Sequence, residues 1–272
     1  MVGLSAAVLS RRRVSAFVVA AACVLAWFIA APHLPRLSVW PAILLVAILI
    51  IPGTLLLTLI ALPLWDRRWM FGAVVVFALF ALVFSLADLG LPSNFAKLAA
   101  AVSAGWAFLA LFEQLSWVVI VACAIPVVDI ISVWRGPTHT ITQHHFEVYT
   151  AVAIAFLVPG GAAAYLGPPD VLFFALFLAA AMRWRLRVVW TWVATVAMYG
   201  LTVIIATAAD VGGLPALPFL SAGFFLANGD LLWRAIRSGD SREESSSSSP
   251  DDDQEPSSPR SLRSKTARGM KL

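Results

Sequence analysis

Charged residues are scarce in this chain. Only 12% of its 272 residues are Asp, Glu, Lys or Arg, whereas 61% are hydrophobic, and the mean hydropathy is +0.88. A soluble domain of this size needs a polar exterior, so the composition excludes one and indicates a membrane protein. The basic residues lie at the ends of apolar runs and in the C-terminal segment, where membrane topology explains them. The net charge of +4 therefore does not indicate a nucleic-acid partner.

Potential metal ligands are equally few. The two cysteines, Cys23 and Cys123, each lie inside an apolar run, which argues against a disulfide framework and gives no metal-binding spacing. His139, His144 and His145 share one loop, but they have no partnering Cys and no HExxH-type spacing. We therefore predict neither a metal nor a cofactor.

Long apolar runs dominate the rest of the sequence. A spanning helix needs about 20 mostly apolar residues, and eight runs approach or exceed that length: 14–31, 39–64, 71–89, 95–112, 115–134, 166–182, 188–208 and 214–233. We predict an all-α polytopic membrane protein with eight or nine transmembrane helices, formed by residues 1–236.

The distribution of basic residues predicts how these helices are oriented. Alternate threading of eight spans puts ten basic residues on one face of the bilayer: Arg11, Arg12, Arg13, Arg67, Arg68, Arg183, Arg185, Arg187, Arg234 and Arg237. The opposite face receives three: Arg36, Lys97 and Arg135. Because positive loops stay in the cytoplasm, we expect a multi-pass protein of the cell (inner) membrane with both termini cytoplasmic.

Residues 237–272 have a different composition. They contain a serine run, an acidic patch and a basic end, with almost no apolar residues. Such a segment cannot bury enough surface to offset its ordering entropy, so we predict a disordered cytoplasmic tail.

Two aspartates lie within apolar runs. Asp129 occurs in "AIPVVDIISVW", about 8 Å inside the end of its predicted helix, and Asp170 lies about 6 Å inside the start of the next spanning helix, in "LGPPDVLFFALF". Since one helix leaves the membrane where the other enters it, both carboxylates are expected at similar depth. A close carboxylate pair shares one proton, which suits it to general acid/base hydrolysis of a peptide bond. Proton- or cation-coupled transport uses paired intramembrane acids as well.

Three motifs in order carry a family resemblance. Asp129 is followed by "GPPD" at 167–170 and then by Pro215, Ala216 and Leu217. Over about 115–233 the chain thereby resembles the GxGD-type intramembrane aspartyl proteases, the presenilin and signal peptide peptidase family.

The resemblance implies a presenilin-like helical bundle that cleaves transmembrane proteins or signal-peptide-like segments within the lipid bilayer, without a cofactor. It implies that Asp129 and Asp170 are catalytic. It also implies substrate-binding roles for the motif residues Gly167, Pro215, Ala216 and Leu217.

The chain departs from the family at two positions. Val128 stands where an aromatic residue usually precedes the first aspartate, and Pro169 replaces the second glycine of the motif. These departures keep open a catalytically impaired, presenilin-like binder of membrane segments, alongside the transporter. A helix with Gly167 as N-cap, prolines in its first turn and Asp170 at the third position would accommodate Pro169.

The segment "VYTAVAIAFLVPGG", which starts at Val148, lies between the two aspartates. Its apolar part is about half a spanning length, and polar residues and "PGG" bracket it, so we predict a short strand or re-entrant segment. A strand here is expected to hold an unwound substrate by β-augmentation, and deletion of residues 153–157 is expected to abolish cleavage.

Overall fold

A computed structural model describes residues 10–66, 69–135, 146–211 and 214–247. The helices, in chain order, are α1 (Arg11–Ala30), α2 (Val39–Leu45), α3 (Ile51–Ala61), α4 (Met70–Leu86), α5 (Gly90–Leu109), α6 (Leu115–Arg135), α7 (Phe146–Val152), α8 (Pro168–Arg183), α9 (Val188–Ala208) and α10 (Leu217–Ser247). A π-type turn, Val46–Ile50, joins α2 to α3, and short 3-10 turns, Ala31–His33 and Leu62–Leu64, follow α1 and α3. Strands β1 (Ile154–Leu157) and β2 (Ala163–Leu166) lie between α7 and α8.

Within the described residues, four helical stretches are long and apolar enough to cross a membrane: Arg11–His33, Val39–Leu64, Leu115–Val133 and Val188–Ala208. They coincide with four of the predicted spans, which agrees with the predicted all-α membrane class. Helices also occupy the other four predicted positions, among them α4 with 17 residues and α8 with 16. The count of eight or nine spans stays a prediction.

Three helices end in the same tight turn. Asp88, Arg185 and Asp210, which follow α4, α8 and α9, have positive φ angles of 55°, 54° and 50°. The next amide then donates back to a carbonyl in the last helical turn, in the pairs Leu89–Phe84, Leu186–Ala181 and Val211–Ala206, at 2.8, 2.8 and 3.1 Å. These hydrogen bonds satisfy carbonyls at the helix ends that have no donor within the helix. It also reverses the chain within a few residues, so α5 packs on α4 and α9 on α8.

Helix α8 forms the centre of the core. Val171 and all residues from 174 to 181 are at most 1% exposed. Such a helix, apolar on every side, is expected to be buried, and α5, α6 and α9 all pack against it. The approach to α5 is close at Gly105, where an added Cβ would lie 2.2 Å from the carbonyl oxygen of Leu172. Any larger residue would push apart the two helices near the start of α8.

The two strands form an antiparallel hairpin just before α8. Ile154 pairs with Leu166 and Leu157 with Ala163, so the predicted short strand between the two aspartate-bearing helices is confirmed. The turn contains Gly160 and Gly161, whose φ angles of 88° and 84° favour glycine. The backbone N–H of Gly160 donates a 3.1 Å hydrogen bond to the carbonyl of Ala31, which attaches this turn to the end of α1.

The chain divides into two units, Met1–Trp233 and Arg234–Leu272. Of the second unit, the structure describes residues 234–247, which are helical, so the helix runs past the predicted boundary at 236. The remainder of the predicted disordered tail lies outside the described residues and stays a prediction.

Candidate active site

Asp170 lies in the first turn of α8. Gly167 is the N-cap, Pro168 and Pro169 open the helix, and Asp170 is the third helical residue, as the sequence predicted. The carboxylate folds back over the turn, so that the amide of Gly167 donates to its Oδ2 atom at 3.0 Å. Proline is tolerated here because first-turn amides have no helical acceptor, and an acidic side chain is favoured by the helix dipole. Pro169 therefore fits the local backbone.

Gly167 contributes space for the carboxylate. Its φ and ψ angles, −66° and 147°, are open to any residue, so backbone freedom does not explain a glycine here. An added Cβ would lie 3.1 Å from the Oδ2 atom of Asp170, which is tighter than ordinary van der Waals contact. Even alanine would therefore press on the carboxylate that the amide of Gly167 binds.

Asp129 lies on α6, one turn after Pro126. The neighbouring Val127 and Val128 are 57% and 65% exposed and so face outward from the protein, whereas Asp129 is half-buried. Its Oδ2 atom accepts a 3.0 Å hydrogen bond from the backbone amide of Leu217. This bond joins the first aspartate to the Pro-Ala-Leu motif, 88 residues further along the chain.

The Pro-Ala-Leu motif forms the entrance to α10. Leu217 is the first helical residue, and all three motif residues are buried, Ala216 and Leu217 at 8% and 6% exposure. The amide of a first helical residue has no partner within its own helix, and the helix dipole favours an anion at this end. The carboxylate of Asp129 satisfies both requirements.

Asp129 and Asp170 interact electrostatically, and their helices α6 and α8 are in contact. The six predicted site residues thus fall into two groups: Gly167 binds Asp170, and Leu217 of the Pro-Ala-Leu motif binds Asp129. The electrostatic interaction of the two aspartates links these groups. Their catalytic and substrate-binding roles stay predictions.

The outer edge of β1 is already occupied. The amide of Ala155 donates to Oδ1 of Asn94 at 2.7 Å, and Nδ2 of Asn94 donates to the carbonyl of Ala155 at 2.9 Å. Further along, the indole N–H of Trp27 donates to the carbonyl of Leu157 at 3.0 Å. Because α5 and α1 satisfy these groups, β1 offers no edge to a substrate strand, contrary to the expected docking at residues 153–157.

The other edge of the hairpin belongs to β2. Its outward-directed residues are Ala163 and Tyr165, which lie opposite Leu157 and Ala155. In the part of the chain that the structure describes, no further strand pairs with β2. This edge, shortly before Asp170, is therefore a candidate position for an added extended segment.

All three tyrosines of the chain belong to this region, although the sequence contains 17 Phe and 11 Trp. The hydroxyl of Tyr199 on α9 donates to the carbonyl of Asp170 at 2.5 Å. Tyr149 on α7 interacts electrostatically with Asp170. The ring of Tyr165 packs edge-on against the ring of Tyr149, with 6.4 Å between the ring centroids. The sequence predictions missed these residues, and the rarity of tyrosine among so many other aromatics was the one available signal.

Tyr149 lies in the connection between the spans. Burial, together with the nearby Asp170 carboxylate, raises the pKa of Tyr149 to about 12. Its phenol therefore stays neutral at physiological pH and keeps its proton for hydrogen bonding.

Among the described residues, no group of three or more His, Cys, Asp or Glu side chains could hold a metal ion. His139, His144 and His145 lie outside the described residues. Comparisons of the chain with protein-family models, curated proteins and solved structures give no match.

Proposed function

We propose that this chain is an intramembrane aspartyl protease that hydrolyses peptide bonds in transmembrane segments. The main support is the electrostatic interaction between Asp129 and Asp170, two acids supplied by neighbouring apolar helices. Intramembrane acids are costly and mark functional sites by default. We include in the proposal a presenilin-like bundle of eight or nine spans in the cell (inner) membrane, with both termini cytoplasmic.

The proposed chemistry needs one proton shared by the pair, which titrates as a unit. The ionised carboxylate removes a proton from water as the water oxygen attacks the substrate carbonyl carbon, and the protonated partner donates to the carbonyl oxygen. The tetrahedral gem-diol intermediate then collapses: the ionised carboxylate takes a proton from one of its hydroxyl groups, the C–N bond breaks, and the leaving nitrogen takes a proton from the other acid. The pair ends with one shared proton, as it began. No cofactor enters these steps.

Substrate placement follows from the surrounding backbone. A helical peptide bond is shielded, so the substrate must unwind, and the edge of β2 at Ala163 offers its extended strand a partner. Gly167 leaves space beside the carboxylate of Asp170. On the side of Asp129, the non-helical residues Pro215 and Ala216 form the other part of the proposed cleft.

A reconstituted assay tests this function. The purified chain in liposomes is given a synthetic single-span peptide, and the products are identified by mass spectrometry. Asp129→Asn and Asp170→Asn should each lower the rate by at least about a hundredfold, as expected for loss of a general acid or base. Asp88→Asn is the matched control, because Asp88 occupies a turn with a φ angle of 55°, which asparagine also adopts.

The other outcomes identify the alternatives. Cleavage that persists in both site variants contradicts the proposal. Peptide binding without cleavage by the parent chain indicates a catalytically impaired binder of membrane segments, which the substitution at Pro169 would explain. Proton or cation flux that needs both aspartates, with no peptide product, indicates a transporter.

A further inference from the structure

Tyr199 is a buried polar residue to which the proposed chemistry assigns no role. It lies in the middle of α9, and its side chain is 1% exposed. Its ring packs against Phe174 of α8 with 6.1 Å between the ring centroids. A phenylalanine would fill this space, so the hydroxyl needs a separate explanation.

The hydroxyl of Tyr199 binds the helix turn that carries Asp170. It donates to the backbone carbonyl of Asp170 at 2.5 Å, a carbonyl that the α-helix also uses as an acceptor. The same hydroxyl interacts electrostatically with both Asp170 and Asp129. It therefore lies close to the pair and is attached to the backbone of one of its members.

The two aspartates are thus attached to different helices. Asp129 is held by the amide of Leu217 at the start of α10, whereas the turn of Asp170 is held by α9 through Tyr199. The relative position of the carboxylates depends on both attachments. Loss of one attachment should change their mutual geometry without removing a carboxylate.

We propose that Tyr199 is a positioning residue, which holds the first turn of α8 so that Asp170 faces Asp129 in the geometry needed for proton sharing. The role in catalysis rests on the proposed protease function, whereas the role in holding Asp170 does not. Tyr199 acts through the backbone of Asp170 and is assigned no contact with the substrate.

Tyr199→Phe tests this role with little change in packing, because it removes one oxygen atom and keeps the ring. Thr202→Val is the matched control: Thr202 is a buried hydroxyl residue on the same helix, 6% exposed, and it donates to the carbonyl of Met198 at 2.8 Å. With the single-span peptide, Tyr199→Phe should lower kcat about tenfold and change KM less than twofold, since ground-state binding does not involve the hydroxyl. Thr202→Val should leave both constants within twofold of the parent.

Infrared difference spectroscopy gives a readout that does not need cleavage. The carboxylic acid C=O band of Asp170, assigned by its loss in Asp170→Asn, is titrated in the full chain. In Tyr199→Phe the midpoint pH of this band should move by at least about half a unit, and in Thr202→Val it should not move.

The outcomes separate the two proposals. If the parent chain cuts no peptide but the band still moves in Tyr199→Phe alone, the positioning role is supported and the protease function fails. If Tyr199→Phe matches the parent in kcat and in band position, the positioning role is overturned. Equal effects of Tyr199→Phe and Thr202→Val also overturn it, because they would show a general response to the loss of a buried hydroxyl.

Discussion

Asn94 provides a direct test of how the hairpin is held in the membrane domain. It lies in the first part of α5 at 8% exposure, and its amide group binds both backbone groups of Ala155. The two hydrogen bonds measure 2.7 and 2.9 Å, and through them the side chain takes the place of a neighbouring strand beside β1. Asn94→Ala would leave both groups of Ala155 without a partner, in surroundings that exclude most water.

The size of the effect follows from these two groups. An unsatisfied buried donor or acceptor costs about 1–3 kcal/mol, so Asn94→Ala should lower the free energy of unfolding by about 3 kcal/mol. At about 2–4 °C per kcal/mol, Tm should fall by about 6–12 °C. The neighbouring Ser93 is the matched control: its hydroxyl donates to the carbonyl of Ala81 at 3.2 Å, and this carbonyl lies inside α4. Ser93→Ala should cost about 1 kcal/mol, since it removes one bond and leaves no orphaned strand group.

Two measurements check the prediction in detergent or nanodiscs. Thermal unfolding gives the two Tm shifts, and hydrogen exchange gives the protection of the Ala155 amide. Asn94→Ala should accelerate exchange at Ala155, whereas Ser93→Ala should not. Unchanged protection of Ala155 in Asn94→Ala, or equal Tm shifts in the two variants, would refute the reasoning.

Three other predictions concern close packing, the first aspartate and the phenol next to the site. Gly105→Ala should lower the free energy of unfolding by about 1–3 kcal/mol, because the added Cβ would meet a backbone carbonyl of α8. Gly72 has open space around it, so Gly72→Ala should not destabilise the chain; thermal unfolding compares the two variants. Leu217→Pro removes the amide that binds Asp129 but fits a first helical turn, so peptide cleavage should fall about tenfold below that of Leu217→Ala; equal rates would contradict the role of the amide. In an absorbance titration, the ionisation of a phenol near pH 12 should be absent from Tyr149→Phe and present in the parent chain and the other variants. Because the pKa of Tyr149 is raised, its contribution to stability is complete below its ordinary value of 10.0 and is lost as the pH rises through about 12.

Local chemistry made the head of α8 predictable from sequence. In "GPPD" a glycine, two prolines and an acid match the preferences of successive positions at a helix start, and the helix begins at Pro168 with Asp170 in its first turn. The interrupted apolar stretch after Val148 likewise predicted a short strand, because "PGG" requires a turn. The structure adds that the strand begins only at Ile154, after the short helix α7.

The contacts that complete the site could not be predicted from local sequence patterns. Asn94 and Ala155 are 61 residues apart, and Trp27 and Leu157 are 130 apart, so nothing in either local pattern specifies the pairing. For this reason the prediction placed the substrate on β1, whose outer edge other helices occupy. Tyr199 was missed for a related reason: its hydroxyl belongs to no sequence motif, and its role depends on the carbonyl of Asp170, which lies on another helix.

The two proposed catalytic acids differ in how firmly their helices are enclosed. Asp170 opens α8, whose residues 174–181 are at most 1% exposed, and Tyr199 ties its turn to α9. Asp129 lies on α6. Only 11% of the residues in the apolar stretch of this helix are buried, and Ile131 is 58% exposed. Few contacts resist displacement of α6, whereas displacement of α8 would disrupt the core. Under the proposed protease function, we therefore expect a substrate that arrives through the lipid to meet Asp129 first, with α6 moving to admit it while Asp170 stays fixed.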